Sequence, residues 1–279
     1  ANGLKIISEN KAGIKGGLRL SYATLGAFTK YPRKSVLDKK SGHIKDKKYG
    51  FFHSQNTFFD EVANELGMVD SNGEYMRHPL AYLVEAADDI CYTLIDFEDG
   101  INLGWISEEY ALEFLIRLVK DSIDTKKYNS LKHKTDRVAY LRALSVNTLI
   151  NDTVKIFLAN EEKILNGQFT KTILSESVFK AQMKDIIDIS VRKVYNSKEV
   201  IEKELKGYQV IHKLLSVFIK ASVNNQSDNT TALDDLVLSS LPQAYIHKDG
   251  NLYDQLLDIS CFVASLTDGN ALEWYNKIS

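Results

Sequence analysis

The spacing of apolar residues predicts an all-α protein. Apolar side chains recur three and four residues apart through most of the 279 residues, which is the period of a helix with one buried face. Only three prolines interrupt the chain, and no set of segments alternates apolar and polar residues as half-buried strands do. A short hairpin over residues 49–52 is the one candidate for β structure. With 44% hydrophobic residues the chain can bury a core, in one large domain or two small ones.

Helices are expected between the prolines, glycines and polar segments. The first covers residues 18–28 and ends before Pro32, because a proline disfavours helix in the residue before it. Another begins at Pro79 and ends at Gly100, since proline suits a first turn and glycine suits a helix end. The other predicted helices cover residues 57–66, 107–122, 136–160, 175–196, 198–223 and 251–266. The polar segment 224–231 is expected to be a loop.

The overall charge and the cysteines exclude several classes of function. The 35 basic residues nearly balance the 37 acidic ones, so attraction of the whole molecule to nucleic acid or membrane is not expected. No stretch approaches the roughly 18 apolar residues of a membrane span, and the first residues do not resemble a signal peptide. Cys91 and Cys261 form no zinc or disulfide pattern. These features favour a cytoplasmic protein.

Positive charge is concentrated in the predicted loop 30–48. The loop contains eight lysines and arginines and only two aspartates. Several positive donors close together can bind phosphate groups, so this loop is a candidate phosphate-binding element. The alternative is an ordinary solvated loop, which is the usual setting of lysines.

The predicted helix 79–100 carries the residues with the clearest chemical pattern. Asp88, Tyr92 and Asp96 are spaced i, i+4, i+8 and therefore share one face. A stripe of apolar residues is expected to pack on the core, namely Leu83, Ala87, Ile90 and Leu94. Six acidic residues and no basic ones lie between residues 81 and 100. A metal ion or basic side chains should therefore lie opposite, unless the acids face water or cations on neighbouring helices.

The order of residues in this helix resembles the signature of bacterial dGTPase-like enzymes, which belong to the HD-domain superfamily. The matching residues read HPLAYLVEAADDICY over 78–92, followed by DFED over 96–99. Further similar segments are GLRLSYATL (17–25), KYP (30–32), KYGFF (48–52), ELKGY (204–208), Thr267–Asp268 and Ala1–Asn2. The family's MTDxYA element is replaced by LTDGNA over 266–271, and residues 224–253 contain no arginine. These departures leave the base preference open.

The resemblance implies an HD-domain-like helical fold with a C-terminal helical extension. Residues 1–125 would be the C-terminal part of the catalytic domain, including the basic loop, and residues 126–279 a helical C-terminal region. The family hydrolyses a dNTP to a deoxynucleoside and tripolyphosphate with a divalent metal, for which Mg²⁺ or Mn²⁺ is expected. It also implies a homo-oligomer, commonly a hexamer, and a dNTP as substrate and as possible effector.

The resemblance also assigns roles to individual residues. Asp88 would be a metal ligand, and its neighbour Asp89 would play a lesser part. Tyr92 would pack on the sugar or base, and Asp96 would accept a hydrogen bond from the 3′-hydroxyl. The residues expected at the polyphosphate are Lys30, Tyr31 and Lys48, and Glu204 is expected to contact the base.

The remaining metal ligands of the family are not found in this sequence. None of its six histidines precedes an aspartate, whereas the family uses a histidine and a His-Asp pair, together with a catalytic His/Glu pair. The family places these residues upstream of the position where this chain begins, so the catalytic residues are unknown. Two other functions stay open: a non-catalytic helical module that binds nucleotide or single-stranded DNA, and another HD-type nucleotide phosphohydrolase.

Overall fold

The structure is a computed structural model that describes residues 1–9, 17–35, 48–245 and 251–278, without the side chains of Asp121 and Ala244. These residues form thirteen α-helices and no strand, which confirms the predicted all-α class. The expected hairpin over residues 49–52 is wrong for this part of the chain: Phe51 forms an isolated parallel bridge with Lys34 instead. The middle of the basic loop, residues 36–47, lies outside the described residues. No helix within the described ranges is long and apolar enough to cross a membrane.

The chain divides into two compact units, residues 1–197 and 198–279. The helices of the first unit are α1 (Asn2–Ser8), α2 (Tyr22–Phe28), α3 (Asn56–Glu65), α4 (Pro79–Asn102), α5 (Glu108–Val119), α6 (Thr125–Ser130), α7 (Lys134–Ala159), α8 (Glu161–Leu165) and α9 (Lys180–Ser190), with a π-helix at Val191–Tyr195. The second unit contains α10 (Lys198–Gln226), α11 (Ala232–Ser239), α12 (Leu252–Ser265) and α13 (Asp268–Ile278). Short 3₁₀ turns lie at His53–Gln55, Lys120–Ser122, Ile173–Glu176 and Gln243–Tyr245.

The expected domain boundary after residue 125 falls inside the first unit. Helix α7, which follows that boundary, packs against both α4 and α5. In the second unit α10 packs against α11, α12 and α13 around a core of its own. The assignment of residues 1–125 to a catalytic domain stays a prediction.

Local capping explains where several helix ends differ from the predicted ones. Helix α2 begins at Tyr22 rather than residue 18, because the Ser21 hydroxyl accepts a hydrogen bond from the Thr24 amide at 3.3 Å. The predicted loop 224–231 is shorter than expected, since α10 continues to Gln226. The last residue of this loop, Thr231, caps α11, because its hydroxyl accepts a hydrogen bond from the Asp234 amide at 3.2 Å. The predicted helix 175–196 is instead a 3₁₀ turn followed by α9 and the π-helix.

Helix α4 is the central element of the first unit and packs against α7 and α9. Its buried face follows steps of three and four residues through Tyr82, Ala86, Ile90, Leu94 and Phe97. The predicted apolar stripe is therefore partly wrong: Ile90 and Leu94 are buried, but Leu83 is half-buried and Ala87 is exposed. The reason is that Ala87 follows the buried Ala86, and consecutive residues point about 100° apart on a helix.

Gly100 does not end α4 as predicted, since the helix continues to Asn102. It is buried where α4 meets the π-helix and the turn after α4. A Cβ atom at Gly100 would lie 2.6 Å from Cγ2 of Val194 and 2.8 Å from Cδ1 of Ile106. Glycine is required there for close packing, and the positive φ of 77° that follows the helix falls on Gly104.

Candidate functional site

The N-terminus of α4 is held by a histidine cap. Pro79 occupies the first turn, and Nδ1 of His78 accepts a hydrogen bond from the Leu80 amide at 3.2 Å. Burial lowers the pKa of His78 below its ordinary value, which favours the neutral imidazole that can accept this bond. The cap begins the helix that carries the predicted site residues.

The structure brings the start of the basic loop onto the exposed face of α4. The Nζ atom of Lys30 lies 2.6 Å from Oδ2 of Asp88. The Asp88 side chain is 67% exposed and that of Lys30 is 26% exposed, so the pair borders solvent. A predicted phosphate-binding cation and a predicted metal ligand are thus adjacent, although 58 residues separate them in sequence.

A buried network lies beneath this ion pair. Glu85 accepts hydrogen bonds from the Tyr31 hydroxyl and from Nη2 of Arg77, each at 2.9 Å. Arg77 and Glu85 are each 4% exposed, and the guanidinium of Arg77 lies 4.2 Å from the ring centroid of Tyr82 and 5.8 Å from that of Tyr31. Burial and the Glu85 carboxylate raise the pKa of Tyr31. The network ties the turn at residues 30–32 to α4.

This geometry commits the Tyr31 hydroxyl to Glu85. The predicted contact of Tyr31 with polyphosphate stays a prediction, but in the structure Tyr31 acts as part of the support for Lys30. Arg77 and Glu85 were not predicted as partners of Tyr31 from the sequence. The sequence does contain a signal for this pair: an arginine is followed eight residues later by an acidic residue, within an otherwise apolar segment.

The second end of the basic loop returns to the same place. Nζ of Lys48 lies 5.9 Å from the ring centroid of Tyr31. Gly50 permits this return, because a Cβ atom there would lie 2.1 Å from the Tyr31 carbonyl oxygen. The Gly50 amide donates to the Arg33 carbonyl at 2.9 Å. Lys30 and Lys48 therefore flank one tyrosine.

Tyr92 and Asp96 follow Asp88 along α4, toward the π-helix; Tyr92 is exposed and Asp96 is half-buried. The Tyr92 ring is stacked on that of Tyr195, with centroids 5.7 Å apart and planes 20° apart. The Tyr195 hydroxyl donates to Asp96, and burial together with this hydrogen bond raises the pKa of Tyr195. Tyr195 was not predicted from the sequence, since 99 residues separate it from Asp96 and no local motif marks it.

The last predicted residue, Glu204, is distant from this group in the sequence and belongs to the other unit. It is an exposed residue of α10 in the second unit. The structure thus brings together Lys30, Tyr31, Lys48 and Asp88 on the first unit, with Tyr92 and Asp96 on the following turns of α4. The contact of Glu204 with a base stays a prediction.

The described residues do not by themselves fit a resident divalent metal. Asp88 offers one exposed carboxylate, and its partner is an ammonium group rather than a second ligand. No group of three histidine, cysteine, aspartate or glutamate side chains suited to a metal occurs in the part of the chain that the structure describes. A metal at Asp88 would need further ligands from beyond these residues.

Comparison with known proteins identifies relatives along nearly the whole chain. No protein-family model matches it. A deoxyguanosinetriphosphate triphosphohydrolase-like protein of Synechocystis is 31% identical over 270 residues, which are 94% of this chain and 60% of the relative. One of Pseudomonas aeruginosa is 30% identical over 95% of this chain and 61% of its own length. A deoxyguanosinetriphosphate triphosphohydrolase of Serratia proteamaculans is 30% identical over 72% of this chain and 43% of its own length.

The alignments extend over both structural units but not over the whole of the relatives. The chain spans about 60% of the length of the curated relatives that it matches over most of its own length. The similarity nevertheless includes at least 94% of this chain for the relatives from Synechocystis and Pseudomonas aeruginosa. Over nearly all of its length the chain is thus similar to proteins named deoxyguanosinetriphosphate triphosphohydrolase-like.

Proposed function

We propose that the protein hydrolyses deoxynucleoside triphosphates to a deoxynucleoside and tripolyphosphate. Water adds to the α-phosphorus, the bond from that phosphorus to the 5′-oxygen breaks, and the 5′-oxygen receives a proton. The ion pair of Lys30 with Asp88 at 2.6 Å is the observation that carries the proposal. It combines a cation for phosphate with a carboxylate for a metal on one exposed surface. The names of the relatives support a hydrolase of nucleoside triphosphates.

Each described residue of the site has a role in this proposal. Lys30 and Lys48 bind the polyphosphate, and the Tyr31–Glu85–Arg77 network holds Lys30 in place. Tyr92 packs on the sugar. Asp96 accepts from the 3′-hydroxyl, because a carboxylate has two acceptor oxygens and Tyr195 occupies only one site on them.

Several parts of the proposal reach beyond these residues. Asp88 would be one ligand of Mg²⁺ or Mn²⁺, with the other ligands and the catalytic residues outside the described part of the chain. Glu204 would contact the base. The expected partners also include a dNTP effector and single-stranded DNA. The chain is further expected to associate into a homo-oligomer such as a hexamer. A cytoplasmic location is proposed on the same family basis.

The first prediction concerns the products and the metal ligand. The complete gene product should release deoxynucleoside and tripolyphosphate from dNTPs in the presence of Mn²⁺ or Mg²⁺, as measured by chromatography of both products. Asp88→Asn should lower kcat/KM on the order of 100-fold or more, because it weakens the proposed metal site. The matched control is Asp89→Asn, which removes the same charge from the adjacent exposed residue and should cost much less.

Three outcomes would contradict this assignment. Equal losses in Asp88→Asn and Asp89→Asn would mean that the two carboxylates act together or that the ligand is Asp89. Orthophosphate or pyrophosphate in place of tripolyphosphate would indicate another HD-type phosphohydrolase. Absence of all three products, with metal shown to be bound, would exclude the hydrolase.

A second candidate function is a non-catalytic module that binds nucleotide or single-stranded DNA. The observation that favours it is that the described residues supply one carboxylate at Asp88 and no three-ligand group. Such a module should bind dNTPs equally well with and without a chelator and should release no product. Calorimetric titration of dATP with EDTA and with Mn²⁺ distinguishes the two, because the enzyme should bind more tightly with the metal.

A further inference from the structure

The first unit contains a cleft that includes none of the residues assigned to the proposed hydrolysis. Its volume is about 500 Å³, within the range of sites for small molecules. The turn after α4, the start of α5 and the π-helix after α9 form its walls. The side chains that matter for recognition are those of Trp105, Ser107, Tyr110, Ile189, Arg192 and Lys193.

The backbone of the cleft is held by the end of α4. The amides of Trp105 and Ile106 both donate to the Gly100 carbonyl oxygen, at 2.9 Å and 3.0 Å. Gly100 also packs closely against Val194 of the π-helix. The wall that carries Trp105 and the wall that carries Arg192 and Lys193 therefore meet at one residue of α4, which keeps the cleft preformed.

The cleft has two cations without acidic partners. Neither Arg192 nor Lys193 forms an ion pair within the described residues, and both are exposed. Nε of Arg192 donates to the Asp188 carbonyl oxygen at 3.1 Å, which leaves the terminal groups of its guanidinium for a ligand.

The nearby acids are engaged elsewhere or lie beside the cleft. The Asp188 carboxylate pairs with Lys184 at 2.7 Å, and Glu108 pairs with Arg137 at 2.9 Å. Glu109, in the first turn of α5, forms no ion pair within the described residues and is the one negative charge left near the start of that helix. Two positive charges against one negative charge favour an anionic ligand.

Two aromatic side chains give the cleft a second kind of recognition. Trp105 is half-buried, and no hydrogen bond within the described residues uses its indole N–H. The Tyr110 ring is 45% exposed and is held edge-to-face against Phe114, with centroids 4.9 Å apart. Aromatic side chains beside arginine and lysine are the combination that binds a base by stacking and its phosphate by charge.

We propose that this cleft binds a single nucleotide, with its base against Trp105 and Tyr110 and its phosphate at Arg192 and Lys193. The volume suits one nucleotide, whereas a polynucleotide would need an extended groove. This site uses residues different from those of the proposed hydrolysis and needs no metal. Its occupant can therefore be a monophosphate, which is not a substrate for release of tripolyphosphate.

Intrinsic fluorescence can test this site because the chain has only two tryptophans, Trp105 and Trp274. In the Trp274→Phe variant, titration with deoxyadenosine monophosphate should change the Trp105 emission in a saturable way, with or without EDTA. Deoxyadenosine alone and inorganic phosphate alone should each bind about 10-fold more weakly or worse, since each lacks one half of the contacts. Calorimetry on the unaltered chain gives the same comparison if Trp274→Phe does not fold.

Paired substitutions separate the cleft from general attraction to positive charge. The double variant Arg192→Gln/Lys193→Gln should raise the Kd about 10-fold or more. The control Lys155→Gln/Lys163→Gln removes the same charge from exposed positions on α7 and α8 outside the cleft and should change the Kd less than about 2-fold. Circular dichroism confirms that each variant is folded.

Each other outcome overturns the assignment. Equal effects of the two double variants would mean non-specific binding, and inorganic phosphate as tight as the monophosphate would mean that the rings take no part. Loss of binding in Lys30→Gln, with Arg192→Gln/Lys193→Gln unchanged, would place the nucleotide at the α4 site instead. An oligodeoxyadenylate that binds more than about 100-fold tighter than the monophosphate would make the cleft part of a nucleic-acid surface.

Discussion

At the scale of single residues, the acids of α4 have different environments that their sequence does not distinguish. Asp88 is exposed and pairs with Lys30, whereas Asp96 is half-buried and accepts a hydrogen bond from Tyr195. Glu85 instead lies inside the protein with Arg77 and Tyr31. A buried carboxylate requires a charge partner and hydrogen bonds, and Glu85 has both. Glu85 therefore has a structural role beneath the proposed site, where it binds Tyr31 and Arg77, and is not assigned a contact with the ligand.

A double-mutant cycle tests whether Arg77 and Glu85 depend on each other. Either Arg77→Met or Glu85→Leu alone should lower the free energy of unfolding by about 3–5 kcal/mol, because each leaves a buried charge without its partner. The double variant should lose much less than the sum, since no unpaired charge remains. Urea unfolding followed by circular dichroism measures all four proteins.

The same cycle has a clear contrary result. Strictly additive losses would mean that the two side chains are stabilised independently, for example by the rings of Tyr31 and Tyr82 over Arg77. Glu85→Gln is the matched conservative variant. It keeps an acceptor for the Tyr31 hydroxyl but removes the charge, so a loss close to that of Glu85→Leu would assign the effect to charge.

At the scale of elements, the start of α4 was predictable and its end was not. The His78-Pro79 pair is a local start signal, and the helix begins there. Gly100 also carries a local signal, for termination, but packing against Val194 and Ile106 takes precedence over it. The shared face of Asp88, Tyr92 and Asp96 follows from helix period alone and was found. Tyr195 was missed because its contacts depend on how distant elements pack.

The histidine cap of α4 makes the stability of that element depend on pH. Burial lowers the folded pKa of His78 below its unfolded value of about 6.5. Between the two pKa values the unfolded chain binds the proton and the folded chain does not, so stability falls as pH decreases below about 6.5. Protonation also removes the lone pair that caps Leu80. Loss of a helix N-cap typically costs about 1 kcal/mol.

Asparagine provides the matched test of that cap, because it caps helices well and does not titrate. The free energy of unfolding should decrease less for His78→Asn than for the unaltered chain when the pH is lowered from about 8 to about 5.5. Urea unfolding at both pH values measures the decrease in the free energy of unfolding for each protein. The titration of other groups contributes to both decreases and cancels in their difference. Identical decreases would show that His78 does not carry the pH dependence. A steeper decrease in His78→Asn would contradict the direction of the pKa shift.

At the scale of the whole molecule, the helical class was predictable but its division was not. Helical period is local, and it identified most of the long helices. The boundary after residue 197 depends on which helices share a core, and the sequence carries no glycine or proline signal there. The polar segment 224–231, which was expected to be a loop, joins α10 to α11 inside the second unit and does not mark the boundary. The resemblance assigned Lys30 and Lys48, at the two ends of the basic loop, to the same polyphosphate. That both ends lie beside Tyr31 depends on tertiary contacts.

The two tryptophans make it possible to follow the two units separately during unfolding. Trp105 belongs to the first unit, whereas Trp274 packs in the second with its ring 5.7 Å from Phe218 and 5.5 Å from Phe262. In Trp274→Phe the remaining Trp105 reports the first unit, and in Trp105→Phe the remaining Trp274 reports the second. Because each unit has its own core, we expect the two transitions to have different midpoints in urea. The transition of the larger first unit should have the steeper dependence on urea, since more surface is exposed.

Core substitutions decide whether these transitions are independent. Leu214→Ala removes a fully buried side chain of the second core and should cost that unit about 2–5 kcal/mol. It should shift the transition seen by Trp274 and leave the one seen by Trp105 unchanged. Leu149→Ala is its counterpart in the first core and should do the reverse. If either substitution shifted both transitions equally, the two units would unfold as one cooperative block, because independent cores cannot transmit the loss of a buried side chain to each other.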